Sequence, residues 1–112
     1  MQILKSYDLT KDLVVVAGDL NDTPGSAPLK NLMAVPNLVD VLKNVVPNWT
    51  YHKGSDQIDY LLVSQPIADH MKAVGIERRG IFRKNNPTFP EVTNAVTHAS
   101  DHAAVFVEFE VL

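Results

Sequence analysis

The chain has no cysteine among its 112 residues. That excludes disulfide staples, thiolate nucleophiles and zinc–thiolate centres. It leaves the compartment open, because secreted proteins without disulfides are common. Glycine is scarce, with five residues and none grouped, so a glycine-rich phosphate cradle is missing. No Gly-x-Ser-x-Gly elbow occurs, which removes support for a serine nucleophile of that kind. No apolar run approaches the roughly 20 residues of a membrane span. The opening residues Met1–Ser6 lack the apolar core of a signal peptide. Positive charge is short as well: the formal net charge is -3, which gives no global pull toward nucleic acid. A local basic cluster of Arg78, Arg79, Arg83 and Lys84 reads first as a solvated loop face.

What remains is an ordinary globular composition, 46% hydrophobic and 21% charged. The length points to one domain, with residues 1–11 as a polar lead-in. Leu13–Ala17 is a continuous β-branched apolar run, which predicts a strand buried on both faces. Gly18–Gly25 is rich in turn residues. Ser26 and Pro28 then open a helix carrying Leu29, Leu32 and Met33. The spacing of Leu38, Val41, Leu42 and Val45 predicts a second short helix over Asn37–Val46. Trp49–His52 and Gln57–Val63, joined through Gly54, read as a β-hairpin. A helical turn follows from Pro66, then a strand over Lys72–Arg79. Ile81–Ala99 is a long polar loop holding Pro87 and Pro90, and loops of that length are often functional. Val105, Val107, Phe109 and Val111 alternate with Phe106, Glu108 and Glu110, the pattern of a half-buried strand. About five strands with two or three helices predict a layered α/β (α+β) domain.

Three acidic motifs stand beside these strands. Asp19, Asn21 and Asp22 follow the first apolar run. Taken alone they read as a turn. A helix-loop-helix calcium loop is excluded, because the positions needing glycine and glutamate hold Pro24 and Lys30. Asp59 lies at the start of an apolar strand, where a carboxylate is costly without a partner. Asp101 and His102 precede the last strand and would point to different sides if already extended. His52, His70 and His98 read as surface or loop histidines. If the strands alternate in direction, the three motifs meet at one end of a sheet. Carboxylates there suit a hard cation. A carboxylate behind an imidazole suits proton transfer from water.

Gly18-Asp19-Leu20-Asn21, Ile58-Asp59-Tyr60 and Ser100-Asp101-His102 resemble the three C-terminal motifs of the endonuclease/exonuclease/phosphatase superfamily. The resemblance runs from about Leu13 to Leu112. It implies part of a four-layered α/β sandwich, with mixed, mostly antiparallel sheet and flanking helices. It implies Mg²⁺- or Mn²⁺-dependent hydrolysis of phosphate esters. By motif, His102 resembles the general base or acid and Asp59 its orienting carboxylate. Asp19 resembles the residue that positions water, with Asn21 on the phosphate and Asp101 at the metal, where Asp19 also contributes. Arg83 and Lys84 are candidate phosphate contacts from charge and position. Residues 1–12 hold no glutamate, whereas the family draws a metal-binding glutamate from its first half. The expectation is therefore the C-terminal half of such a domain, weak or inactive alone. The substrate is nucleic acid, a phospholipid or a small phosphodiester. The rival expectation is a non-catalytic module that self-associates through an exposed sheet face, as a homo-oligomer or with its missing N-terminal half. The third is a generic domain whose acids are surface turns.

Overall fold

A computed structural model describes residues 3–110. Five strands and two α-helices follow a single 3-10 turn at Ile3–Ser6. They are β1 (Val15–Asp19), α1 (Ala27–Met33), β2 (Leu38–Asp40), β3 (Asp59–Ser64), α2 (Gln65–Asp69), β4 (Met71–Glu77) and β5 (Ala104–Phe109). Two antiparallel sheets result, one in the order β1-β3-β2 and one of β4-β5. The content is α+β, as the element pattern predicts.

β3 is the centre of the construction. β1 pairs with it over Asp59–Val63 on one edge, and β2 over Leu62–Ser64 on the other. It carries Tyr60, Leu62 and Val63, all almost fully buried. Side chains alternate across a strand, so β3 feeds two cores. One gathers Tyr60 and Leu62 with Leu29 of α1 and Leu38 of β2. The other gathers Val63 with Val41, Leu42 and Ile67 of α2, and receives Val74, Ile76, Val105 and Val107 from the second sheet. Each fully buried aliphatic side chain contributes about 1.5–3 kcal/mol. Ser64 closes the strand: its hydroxyl donates to Asp12 O and accepts from Val14 N–H. That clamp sets the register of β1 on β3.

Three sequence expectations need correction. Asn37–Val46 is not a helix. Asn37 takes φ 62°, which breaks a right-handed helix, and Leu38–Asp40 pairs with Leu62–Ser64 of β3. Asp40 Oδ1 then accepts Leu42 N–H and starts a turn. The helix-like spacing survives only because Leu38, Val41 and Leu42 all reach the core. Trp49–His52 does not form a hairpin with β3; it meets the start of that strand through the Thr50 side chain, whose Oγ1 accepts Ile58 N–H and Asp59 N–H. Its backbone reaches instead to the last loop, through Ala103 N–H on Thr50 O and a bridge between Tyr51 and His102. The first apolar run is not buried on both faces. Val16 packs on the core, while Leu13 and Val15 stay 59% and 52% exposed. Among the described residues nothing covers that outer face, so a run suited to a central strand sits at an edge.

Other expectations stand. α1 begins after Ser26 with a proline in its first turn, though the Ser26 hydroxyl makes no capping bond. α2, β4 and β5 lie where their patterns place them. The strand expectation at Val111 lies outside the described residues.

A carboxylate–imidazole pair between two sheets

The register of β1 on β3 sets Asp19 directly opposite Asp59. Like charges opposed across a ladder are destabilising. Such an arrangement persists where a cation or an imidazole is shared between them. His102 supplies the imidazole. Its Nδ1 lies 2.8 Å from Asp59 Oδ2, and its Nε2 lies 3.7 Å from Asp19 Oδ2. A carboxylate only accepts, so Nδ1 carries the proton and donates to Asp59. Nε2 then faces Asp19 across a gap too long for a direct hydrogen bond. Ligand atoms of Asp19, Asp59 and His102 all lie within 4.8 Å of one another.

Asp19 and His102 are each held by a local turn. Asp19 Oδ1 accepts Asn21 N–H at 2.9 Å, a local turn that leaves Oδ2 toward the imidazole. Asn21 takes φ 52°, a left-handed conformation that asparagine tolerates better than most residues. Tyr60 donates its hydroxyl to Asp22 O at 2.8 Å and ties this loop to β3. Burial, then the charges of Asp40, Asp56, Asp22 and Asp59, hold the Tyr60 phenol well above its ordinary value, so it stays a neutral donor. Ser100 Oγ accepts His102 N–H at 3.0 Å, which gives the serine of the third motif a turn-forming task.

The His102 pKa is raised above 6.5. The hydrogen bond to Asp59 is the largest cause. Burial opposes it, and the charges of Asp59, Asp19 and Asp101 add to it. The side chains of His102 and Asp59 are 28% and 17% exposed. The pair is thus sheltered but reachable, as a proton-transfer couple must be.

The remaining candidates sit differently. Asp101 is exposed, and its carboxylate lies outside the Asp19–Asp59–His102 cluster. Its backbone carbonyl accepts His52 N–H at 2.9 Å. Asn21 is exposed beside Asp19. The Arg83 guanidinium lies 4.0 Å from the Trp49 ring and donates to the carbonyls of Tyr51 and Gly54. Arg78 also lies over Trp49, at 4.6 Å, and donates to Trp49 O. Both arginines therefore splint the Trp49–Gly54 segment. Lys84 is exposed. His52 and His98 are half-buried rather than surface residues, stacked edge to face at 5.7 Å. The Tyr51 ring lies 5.0 Å from the His102 ring.

Several supporting residues escaped the sequence reading. Thr50, Gln57 and Ser64 are polar yet at most 1% exposed. A polar residue inside an apolar stretch was the available signal, and at Ser64 it stands next to the buried run Leu62–Val63.

The fold and the site define an α+β domain in which two aspartates at one end of the β1-β3-β2 sheet meet a histidine from the segment that leads into β5 of the second sheet. Residues 2–102 match the model of the Endonuclease/Exonuclease/phosphatase family. The chain belongs to that family, one of nucleases and phosphatases that act on phosphate esters. No curated protein and no solved structure matches the chain. Among the described residues no helix is long and apolar enough to cross a membrane.

Proposed function

We propose that the chain carries the proton-transfer and water-positioning groups of a metal-dependent phosphoesterase. The observation that supports this most is the 2.8 Å contact between His102 Nδ1 and Asp59, with Asp19 facing Nε2 at 3.7 Å. In this reading Asp59 fixes the imidazole tautomer, so the Nε2 lone pair is free. A water held by Nε2 and Asp19 Oδ2 gives its proton to Nε2 as its oxygen bonds to phosphorus, while the P–O bond to the leaving alcohol breaks and solvent water protonates the departing oxygen. Asp19 orients that water, and Asn21 donates its side-chain amide to a phosphate oxygen. Asp101 and Asp19 would supply oxygens to Mg²⁺ or Mn²⁺. Two carboxylates with several waters are the donors such ions use; the Asp19 carboxylate accepts Asn21 N–H on Oδ1, and Asp101 is exposed. A bound ion would stabilise negative charge developing on the phosphate. Arg83, splinted as it is, and the exposed Lys84 are the phosphate contacts offered to the substrate. The substrate class is nucleic acid, phospholipid or small phosphodiester, and the chain alone turns over weakly.

The test pairs two readouts. Hydrolysis of bis(p-nitrophenyl) phosphate is expected to need Mg²⁺ or Mn²⁺, and His102→Ala to lower it by about 10²–10⁴-fold. Titrated Mn²⁺ is expected to broaden the amide signals of Asp19 and Asp101. A rate indifferent to chelator and to His102→Ala, or no broadening at either aspartate, would overturn the reading. A second reading, self-association without catalysis, draws on the exposed Leu13 and Val15 of the outer β1 face. It requires a dimer or larger species by light scattering.

A further inference from the structure

Asp59 and His102 lie on separate segments 43 positions apart, so something must hold them in register. Their side-chain contact is one hydrogen bond, partly open to water. The backbone beneath it is better organised. Thr50 is fully buried, with 0% exposure. Its Oγ1 accepts two backbone donors, Ile58 N–H and Asp59 N–H, each at 3.1 Å. Its carbonyl accepts Ala103 N–H at 2.8 Å. One residue thus grips the backbone of Asp59 with its side chain and the neighbour of His102 with its main chain. The next two residues extend the second grip: Tyr51 bridges to His102, and His52 N–H donates to Asp101 O at 2.9 Å. Gln57 Nε2 donates to Asp59 O at 3.1 Å, so both backbone polar groups of Asp59 are held by buried side chains.

We propose that Thr50 is the positioning residue that couples Asp59 to His102, transmitting the register of β3 to the last loop through its hydroxyl and its carbonyl. Its hydrogen bonds go to the backbone of Ile58, Asp59 and Ala103 rather than to the imidazole, so it acts through the pair. Threonine suits the task because branching at Cβ restricts χ1, which keeps the hydroxyl under the two amides. The role rests on reading Asp59 and His102 as the proton-handling pair.

The experiment reads the pair directly. The low-field Nδ1–H proton of His102 is observed by NMR in the full chain, with amide exchange at Ile58 and Asp59. Thr50→Val keeps the shape and the carbonyl but removes the acceptor. It is expected to broaden or abolish the His102 Nδ1–H signal and to speed exchange at both amides by about tenfold or more, since buried donors are left unpaired. Thr50→Ser restores the acceptor and is expected to restore the signal. Ser64→Ala is the control for a purely structural hydroxyl: Ser64 is equally buried but serves Asp12 and Val14, so the His102 signal should persist. A folded Thr50→Val protein with unchanged signal and exchange overturns the proposal, as does a Thr50→Ser protein that behaves like Thr50→Val. If Thr50→Val fails to fold, the wild-type amides decide: protection at Ile58 and Asp59 supports the proposal, and unprotected exchange overturns it. Hydrolysis is not among these readouts. An inactive chain whose signal depends on Thr50 defeats the phosphoesterase reading alone, while an active chain whose signal ignores Thr50 defeats this inference alone.

Discussion

Replacing Asp59 with asparagine removes one negative charge and little else, since the amide has nearly the shape of the carboxylate. The charge sits 2.8 Å from His102 Nδ1. A hydrogen bond to a charged group contributes about 1.5–3 kcal/mol. With His102 28% and Asp59 17% exposed, water screens part of it, which favours the lower end of that range. Two consequences follow. The His102 pKa, held above 6.5 chiefly by this bond, should fall toward 6.5 in Asp59→Asn. The pH dependence of stability should flatten too. A histidine whose folded pKa is raised adds stability that is complete below its unfolded value near 6.5. That stability is lost as pH rises through the folded pKa. The wild-type chain should therefore weaken on passing upward through that window, and Asp59→Asn should weaken less. The assay is an NMR titration of the His102 ring protons, with urea unfolding on both sides of neutrality. Asp59→Asn with an undiminished His102 pKa would refute the reasoning, because the first cause of the shift would then lie elsewhere.

Two further outcomes test the frame around the site. Asp40 accepts bonds from Leu42 N–H and Gln57, yet burial dominates and holds its carboxyl above the ordinary value of 3.8. Its charge is thus costly when folded, so Asp40 favours stability as pH falls from above its folded pKa toward 3.8. Asp40→Asn should raise the urea midpoint at pH 7, and a lower midpoint would show that the two hydrogen bonds outweigh burial. Leu62→Ala, at a side chain 1% exposed in the β3 core, should cost about 2–5 kcal/mol by denaturant unfolding. A cost under about 1 kcal/mol would mean the site collapses around the gap.

Much of the candidate site was legible before any coordinates, and for a physical reason. Asp59, a carboxylate at the start of an apolar strand, needs a partner and so marks itself, whereas Asp19 and His102 were legible only through the ordered trio of motifs. The alternation of β5 and the proline-opened α1 and α2 were legible for the same kind of reason, because each element states its period locally. The misreadings share a cause as well. Asn37–Val46 carries a helical spacing, but the pairing of Leu38–Asp40 with β3 outranks local propensity. Trp49–His52 has the composition of a strand, but its backbone pairs with the Asp101–Ala103 segment before β5 rather than with β3. Arg83 is legible in sequence as a basic residue, and only the fold adds its contacts with the Trp49 ring and two carbonyls.

The linear order of residues determined which groups are present: three motifs, a basic loop, no thiol and no glycine-rich cradle. It also determined that strands dominate, since period and residue type act over a few neighbours. Tertiary structure alone decided that Asp19 faces Asp59, that His102 turns its Nδ1 to one and its Nε2 to the other, and that Asp101 stands outside the cluster. Those outcomes depend on the register of strands far apart in sequence. A one-residue slip in that register would send every side chain to the opposite face.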